Sequence, residues 1–414
     1  MPSRDHHHRK LRFETLESRA MLAGDLELVK DINPSPTGTS SSPSNLVDVS
    51  GVLFFVVNDG ANGEELWKSD GTEAGTVMVK DIFLGGPSSP RYLTNVGGIL
   101  YFSANDGVHG SELWKSDGTE AGTVMVKDVR PGFVGSGPSQ LINLAGQLVF
   151  AASDGSVGQE LWRSDGSETG TVLVRDIREG SSSSNPRYFG ESGGIVYFRA
   201  NDGLTGEELW RSDGTSAGTG LVKDIRTGSA SSDPRRFTSH QGEVFFVAND
   251  GMTGAELWRT DGTASGTMLV RDVFVGSGGA DITSLASVGT TLFFAARGNG
   301  TAGKELWKTD GTSTGTVLVK DIQSLGSSYP SSLTNVSGVL FFRATDSFGD
   351  AGLWKSDGTE LGTQILTRTD ASAFLNFAGT LYFRGNGGQE IWKSDGTVAG
   401  TIIHNGASTS GSGR

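Results

Sequence analysis

Five short loops of this chain carry one carboxylate followed six residues later by a second. Each reads Asp-Gly-x-x-Gly-x-Glu, and the aspartates are Asp59, Asp106, Asp154, Asp202 and Asp250. Because oxygen-rich loops with glycine can bind Ca²⁺, Asp106 and Glu112 are candidate calcium ligands of the second loop. Asp-Gly is first a turn former and the spacing differs from an EF-hand, so a plain turn is the alternative. No cofactor other than calcium is expected.

The sequence carries no catalytic signature. It contains no nucleophile elbow, phosphate-binding loop or histidine-rich metal motif. An active site needs a few unlike side chains brought together, whereas the polar residues that recur in this chain recur in nearly every repeat. We therefore predict that the protein is not an enzyme. A carbohydrate-active enzyme, the alternative, needs a carboxylate pair on one or two repeats only, so Glu179, Asp233 and Asp281 would have to converge rather than spread.

All eight tryptophans lie in copies of one motif, which reads Glu-Leu-Trp-Lys-Ser-Asp-Gly-Thr in the first two copies. They are Trp67, Trp114, Trp162, Trp210, Trp258, Trp307, Trp354 and Trp392, separated by 47, 48, 48, 48, 49, 47 and 38 residues. A period of about 40 to 50 residues is typical of propellers and other repeat arrays. We interpret each tryptophan as a packing anchor, because every copy keeps it and buried aromatic rings dominate core energetics.

The second repeat divides at its turn residues into four short strands, at 90–96, 99–105, 111–116 and 123–129. Gly-Gly and Asp-Gly supply the positive φ that tight hairpins need. The second strand is apolar at nearly every position, as expected for a strand packed on both faces. The sequence therefore predicts an all-β protein, a β-propeller of eight four-stranded blades.

A register follows if the third and fourth strands pair around their turn. With Ser116 opposite Thr123, Glu112 lies opposite Lys127. The same arithmetic pairs Glu65 with Lys80, Glu160 with Arg175, Glu208 with Lys223, Glu256 with Arg271 and Glu305 with Lys320. In the seventh copy Gly352 lies opposite Thr367, so both charges are missing together. We expect these ion pairs to set alignment more than stability.

The eighth copy lacks this pair, because Glu390 faces the uncharged Asn405. A spare strand at residues 26–32 carries Lys30 in the matching place. We predict that this N-terminal strand joins the last blade, adding to or replacing residues 401–405, and so closes the ring and removes an exposed edge. The alternative is that the last blade uses its own fourth strand and residues 26–32 pack elsewhere.

Composition restricts the partners. The 414-residue chain has 62 glycines, no cysteine and a formal charge of −13, which disfavours binding to nucleic acid. No apolar run is long enough to span a bilayer. We expect a leader at residues 1–25, possessing either a short helix or little order, a propeller at 26–405, and a disordered Gly/Ser-rich tail at 406–414. We expect a monomer.

The motif resembles the repeat of the ELWxxDGT-repeat family of bacterial proteins. It appears as ELWKSDGT at 65–72 and 112–119, ELWRSDGS at 160–167, ELWRSDGT at 208–215, ELWRTDGT at 256–263 and ELWKTDGT at 305–312. The last two copies, GLWKSDGT and EIWKSDGT, depart from it. The leader sequence FETLESRAMLA is similar to the LEPR-XLL motif of large bacterial surface or secreted proteins. These resemblances imply an extracellular or cell-surface location and supply no catalytic residue.

Two functional hypotheses follow. The first is a non-catalytic secreted or cell-surface scaffold that binds a glycan, a matrix polymer or a protein partner. It would bind through the loop face that carries Asp59, Asp106, Asp154, Asp202 and Asp250, since the loops there vary most between copies. The second is a propeller-fold carbohydrate-active enzyme, either a hydrolase or a lyase.

Overall fold

The computed structural model describes residues 29–33, 40–300, 303–388 and 390–404. Nearly all regular structure is β-strand, and the strands form eight separate four-stranded antiparallel sheets. The eight sheets are the blades of a β-propeller, arranged in a ring. The predicted fold class is therefore confirmed. The predicted leader at 1–25 and tail at 406–414 lie outside the described residues.

The first four blades comprise β1 Ser44–Val49, β2 Val52–Asn58, β3 Glu64–Ser69, β4 Val77–Lys80; β5 Arg91–Val96, β6 Ile99–Asn105, β7 Ser111–Ser116, β8 Val124–Lys127; β9 Ser139–Leu144, β10 Gln147–Ala152, β11 Glu160–Ser164, β12 Val172–Arg175; β13 Arg187–Ser192, β14 Ile195–Asn201, β15 Glu207–Ser212, β16 Gly220–Lys223. The last four comprise β17 Arg235–His240, β18 Glu243–Asn249, β19 Ala255–Thr260, β20 Met268–Arg271; β21 Leu285–Val288, β22 Thr291–Arg297, β23 Lys304–Thr309, β24 Val317–Lys320; β25 Ser331–Val336, β26 Val339–Thr345, β27 Ala351–Ser356, β28 Gln364–Thr367; β29 Ser372–Phe377, β30 Thr380–Gly385, β31 Glu390–Ser394, β32 Ile402–Ile403. A 3₁₀ turn, Asn386–Gly388, follows β30.

Within each blade the strands follow chain order from the inside outward. The first strands of consecutive blades contact one another, from β1 with β5 to β25 with β29. They therefore line the central channel. The second strands of blades two to seven are largely buried on both faces, as their continuous apolar runs predict.

The hydrophobic core lies between neighbouring blades. At the first junction, Phe54 and Ile82 of blade one pack against Phe102 and Trp114 of blade two. The same cluster recurs at each junction through to blades seven and eight. Six tryptophans are at most 7% exposed, and Trp307 and Trp392 are half-buried.

The predicted Glu–Lys pairs are wrong. Ser116 and Thr123 do bond side chain to side chain at 2.8 Å, but a β-bulge between Leu113 and Trp114 shifts the register, so that Lys127 lies opposite Leu113. The same bulge separates the other five predicted pairs, and in the seventh blade it places Leu353, not Gly352, opposite Thr367. A bulge adds one residue to one strand and leaves no trace in residue spacing alone.

Each partner of the predicted pair instead bonds across a different part of the blade junction. Glu112 is fully buried and accepts hydrogen bonds from the backbone N–H of Val129 at 3.2 Å and from Ser136 N and Oγ at 2.7 and 2.6 Å. Lys127 Nζ donates to the carbonyl of Thr171 in the next blade at 2.9 Å. The glutamate therefore holds the interblade loop of its own blade, while the lysine bridges to the next blade.

The last blade uses its own fourth strand, since β32 pairs with β31 through Ile403 and Trp392. Residues 29–33 form no strand, and residues 26–28 lie outside the described part of the chain. The described residues thus agree with the alternative on the fourth strand of blade eight, and the predicted strand is absent from residues 29–33. Lys30 donates to the carbonyl of Thr76 in blade one at 2.8 Å, and Glu390 accepts from Trp392 Nε1 at 3.0 Å.

Candidate functional site

The propeller presents two faces, and the loop face carries both the Asp-Gly loops and the interblade loops. Each channel-lining strand begins at this face. At its first two positions, blades two, four and five place Arg91 and Tyr92, Arg187 and Tyr188, and Arg235 and Arg236. We call these six residues the channel mouth. At the same positions the other first strands of blades one, three, seven and eight carry Ser, Asn, Gln or Ala.

A recurrent β-bulge shapes the channel mouth. The second residue of the strand adopts a left-handed conformation at Tyr92 (φ 57°), Tyr188 (φ 57°) and Arg236 (φ 60°), and the pairing with the second strand is shifted there. Bulky residues rarely adopt positive φ, and bulges redirect side chains. The bulge also occurs at Gln140 and Ser332. The bulge is therefore a feature of the fold, and the blades differ in which side chain they place on it.

Blades four and five share a network of charges at this mouth. Arg199, on the second strand of blade four, forms an ion pair with Asp233 at 3.2 Å and another with Glu207. Its guanidinium lies over the Tyr188 ring, with 5.4 Å to the ring centroid. Arg187 approaches Glu207 at 3.8 Å. These contacts hold Tyr188 and Asp233 in place across the blade junction.

The network leaves cationic groups in excess. Arg235 donates to the carbonyl oxygen of Asp233 at 3.1 Å, and burial lowers the pKa of its guanidinium. Among the described residues, no carboxylate forms an ion pair with Arg91, Arg235 or Arg236. The channel mouth is therefore locally positive on a chain whose formal charge is −13, and it attracts anions.

Two shallow depressions border these arginines. One, of about 350 Å³, lies along the channel strands of blades one and two and is lined by Arg91, Tyr92 and Leu46. The other, of about 340 Å³, extends over blades five to seven and is lined by Arg236, Leu285 and Leu333. Both combine a cation with apolar surface, as ligand sites commonly do.

The five predicted loop aspartates each close their own turn. Asp202 Oδ1 accepts the backbone N–H groups of Leu204 and Thr205, each at 2.8 Å, and equivalent bonds occur at Asp59, Asp106, Asp154 and Asp250. Burial works to raise the pKa of each carboxyl, but these hydrogen bonds together lower it. The aspartates lie on five different blades, so the structure does not bring them together.

The two candidate calcium ligands have separate partners. Asp106 Oδ2 lies 2.6 Å from His109 Nδ1, and this hydrogen bond raises the pKa of the imidazole. Glu112 is directed into the blade junction. Across the described ranges, no group of three or more His, Asp or Glu side chains is arranged to hold a metal ion. Calcium binding stays a prediction.

The acidic residues of the variable loops also have different partners. Asp233 pairs with Arg199, Asp281 pairs with Lys304 at 2.8 Å, and Glu179 is exposed. They do not form a shared carboxylate pair. Sequence reasoning missed the channel mouth, although its signal was present as Pro-Arg-Tyr at 90–92 and 186–188 and as Pro-Arg-Arg at 234–236.

No protein-family model matches the chain, and no curated protein matches it. Among solved structures it is similar to a puromycin hydrolase, at 13% identity and a TM-score of 0.44, over 84% of this chain and 58% of that one. It is similar also to a structure from an analysis of two prolyl endopeptidases, at 14% identity and a TM-score of 0.44, over 83% of this chain and 53% of that one. The chain thus spans a little over half the length of either.

These similar structures contradict the prediction that the chain is not an enzyme, because they are themselves enzymes, and that prediction is wrong. At this identity and TM-score the likeness transfers no residue, substrate or reaction to the chain.

No helix within the described residues has the length and hydropathy needed to cross a bilayer.

Proposed function

We propose that this protein is an extracellular or cell-surface propeller that binds an acidic polysaccharide at the channel mouth of its loop face. One observation carries the proposal. Three of the eight channel strands begin with an arginine followed by a tyrosine or a second arginine. The channel strands of blades one, three, seven and eight begin with serine instead, so the fold itself does not require arginine at this position.

The chemistry of these residues favours an anionic polymer. A guanidinium binds a carboxylate or a sulfate through two parallel hydrogen bonds. A tyrosine offers a flat apolar ring with a polar edge, and Tyr92 and Tyr188 are 44% and 46% exposed. The three arginine-bearing strands lie on blades two, four and five, so one chain lying across the mouth can contact several of them. Several weak contacts along one polymer raise its affinity.

The first test is binding of the full chain to polymers that differ only in charge. Polygalacturonate and heparin serve as carboxylated and sulfated probes, and dextran as the neutral control. We expect the two acidic polymers to bind and dextran not to bind, and the affinity to fall as ionic strength rises. Equal binding of dextran would contradict the proposal. Sizing each polymer before and after incubation shows whether the protein also cleaves it.

Single-charge variants locate the site. Arg236→Ala removes an exposed guanidinium from the channel mouth, whereas Arg211→Ala removes an exposed one at the end of the third strand of blade four, beside the Ser-Asp-Gly-Thr turn of the opposite face. We expect R236A to weaken polymer binding about tenfold, and R211A to leave it within about twofold because the lost charge lies on the other face and is screened. Equal effects of the two variants would place binding elsewhere.

Two sequence hypotheses accompany this proposal. Membership of the ELWxxDGT-repeat family and export directed by the leader both agree with an acidic polymer outside the cell as the ligand. Cell fractionation of the full chain, with detection of the protein in the medium or on the surface, tests the location independently of the ligand.

A further inference from the structure

The junction between blades eight and one differs from the others in what covers its apolar residues. Phe377 of blade eight is 65% exposed, whereas its equivalents Val49, Val96 and Leu144 are at most 6% exposed. Leu53 of blade one is 37% exposed, although its equivalent Leu100 is fully buried. Both side chains lie on the faces through which blades eight and one would meet.

Blade one is nevertheless covered on this side by the N-terminal segment, which we define as the described residues 29–33 and 40–42. Ile32 packs against the cluster of Phe55, Val57 and Trp67. Trp67 is 7% exposed, the same fraction as Trp114, which packs against a whole blade. The segment thus occupies the position that a preceding blade occupies elsewhere.

Two hydrogen bonds of the segment repeat those of a regular blade. Lys30 donates to the carbonyl of Thr76 at 2.8 Å, as Lys80 donates to that of Thr123 at 2.9 Å. The N–H of Asn58 donates to Ser41 at 3.2 Å, as that of Asn105 donates to Ser88 at 3.0 Å.

Ile32 is a third equivalent of the regular blade. It corresponds to Ile82, because each isoleucine lies two residues after the lysine. Lys30, Ile32 and Ser41 therefore stand in the order and at the positions of Lys80, Ile82 and Ser88.

Blade eight lacks the complement of these residues. Glu65 accepts from Ile82 N at 3.2 Å, from Ser88 N at 2.8 Å and from Ser88 Oγ at 2.5 Å. Glu390, the equivalent glutamate, accepts from the indole of its own Trp392 instead. Strand β32 ends at Ile403, and the N–H of His404 donates to the carbonyl of Ile391 at 2.8 Å. Within the described residues the fourth strand stops there, one residue short of the position that Lys80 holds in blade one.

We propose that the N-terminal segment completes blade eight where β32 ends. Lys30 lies opposite Ile391, as Lys80 lies opposite Leu66. Glu390 turns from Trp392 to accept the N–H of Ile32 and the N–H and hydroxyl of Ser41. Blades eight and one then meet over this segment, and Phe377 and Leu53 become buried. The partner of the exposed face of blade eight is thus a segment of the same chain.

A disulfide tests this arrangement, because the chain has no cysteine and adjacent antiparallel positions lie within disulfide reach. Lys30→Cys with Ile391→Cys should form an intramolecular disulfide under mild oxidation, detected by mass spectrometry of the linked peptides. The matched control is Leu66→Cys with Lys80→Cys, two residues that lie opposite each other in blade one. A control that oxidises while the test pair stays reduced would overturn the proposal.

A single substitution gives a second readout that needs no new bond. Glu390→Gln should lower the urea midpoint as Glu65→Gln does, because both glutamates would hold an interblade loop. No shift for Glu390→Gln beside a clear shift for Glu65→Gln would also overturn the proposal. Neither experiment depends on polymer binding, so the two proposals fail separately.

Discussion

The junctions between blades one and two and between blades eight and one use the same residue types with different outcomes. At the first, Glu65 holds the interblade loop through Ser88 and Ile82, and the apolar faces bury each other. At the second, the glutamate and the loop residues are all present but come from opposite ends of the chain. A regular junction forms within a continuous chain, whereas this one must close a loop of the whole protein, at a larger entropic cost.

The largest expected effect concerns the tryptophan anchors. Replacing Trp114 by Ala should lower the free energy of unfolding by about 3–5 kcal/mol, because it leaves a cavity between two blades. Trp67→Ala should cost nearly as much if the N-terminal segment packs against blade one. Urea unfolding followed by circular dichroism measures both, and a Trp67→Ala cost below half that of Trp114→Ala would show a weaker junction.

The next effect concerns the buried glutamates. Glu208 accepts from Ile225 N at 2.9 Å and from Ser232 N and Oγ at 2.8 and 2.6 Å, so Glu208→Ala leaves these donors buried without an acceptor. We expect a loss of about 2–4 kcal/mol. An exposed control, Glu179→Ala, should cost less than about 0.5 kcal/mol. Equal losses for the two variants would show that the carboxylate network is not what stabilises the junction.

In blade four Ser232 donates to the buried Glu208. After blade five the equivalent residue is Ala280, which has no hydroxyl to donate to Glu256. Burial raises the pKa of Glu256 to about 7, against hydrogen bonds from Val273 and Phe274. Because this pKa is raised, its contribution to stability is fully present below the usual carboxyl value and is lost as pH rises from there through about 7. Ala280→Ser should add a donor to the carboxylate, lower this pKa and recover about 1–2 kcal/mol at pH 8.

The matched change is Ser232→Ala, which should destabilise the protein by a similar amount at pH 8 and by less at pH 5, where the freed carboxylate takes up a proton more readily. Thermal unfolding at both pH values measures the pair. If Ala280→Ser leaves the pH dependence unchanged, the serine does not set the glutamate pKa, and the proposed role of Ser41 at Glu390 loses its basis.

The smallest effect concerns the cation that bridges blades. Lys127→Met keeps the aliphatic stem but removes the hydrogen bond to the carbonyl of Thr171. We expect a loss of about 1 kcal/mol, and Lys30→Met should match it. A loss for Lys127→Met with none for Lys30→Met would separate the two junctions energetically.

The repeat made the fold predictable from sequence. Eight tryptophans at nearly constant spacing indicated eight blades, and the Asp-Gly and Gly-Gly turns located the strands. The ion pairs were mispredicted, because the bulge between Leu113 and Trp114 moves one strand by one residue. Glu112 bonds to Ser136, and nothing in pairwise strand patterns indicates a contact between a third strand and an interblade loop.

The candidate site was hidden by the same repetition. Asp106 and its equivalents stood out because they recur, yet each only closes its own turn. Arg235 and Arg236 differ from the serines at equivalent positions, and this departure was the useful signal. The proximity of Arg235 to Arg199 and Tyr188 required the structure, since it depends on how blades four and five pack.

Hydrogen exchange on the unaltered protein tests most directly whether the ring closes through its N-terminal segment. The amide of Ile82 is bonded to the buried Glu65 and should exchange slowly. The account predicts that the amide of Ile32 exchanges comparably slowly, because it donates to Glu390 in the closed ring. Exchange of Ile32 at the rate of a free, solvated amide, beside a protected Ile82, would contradict it.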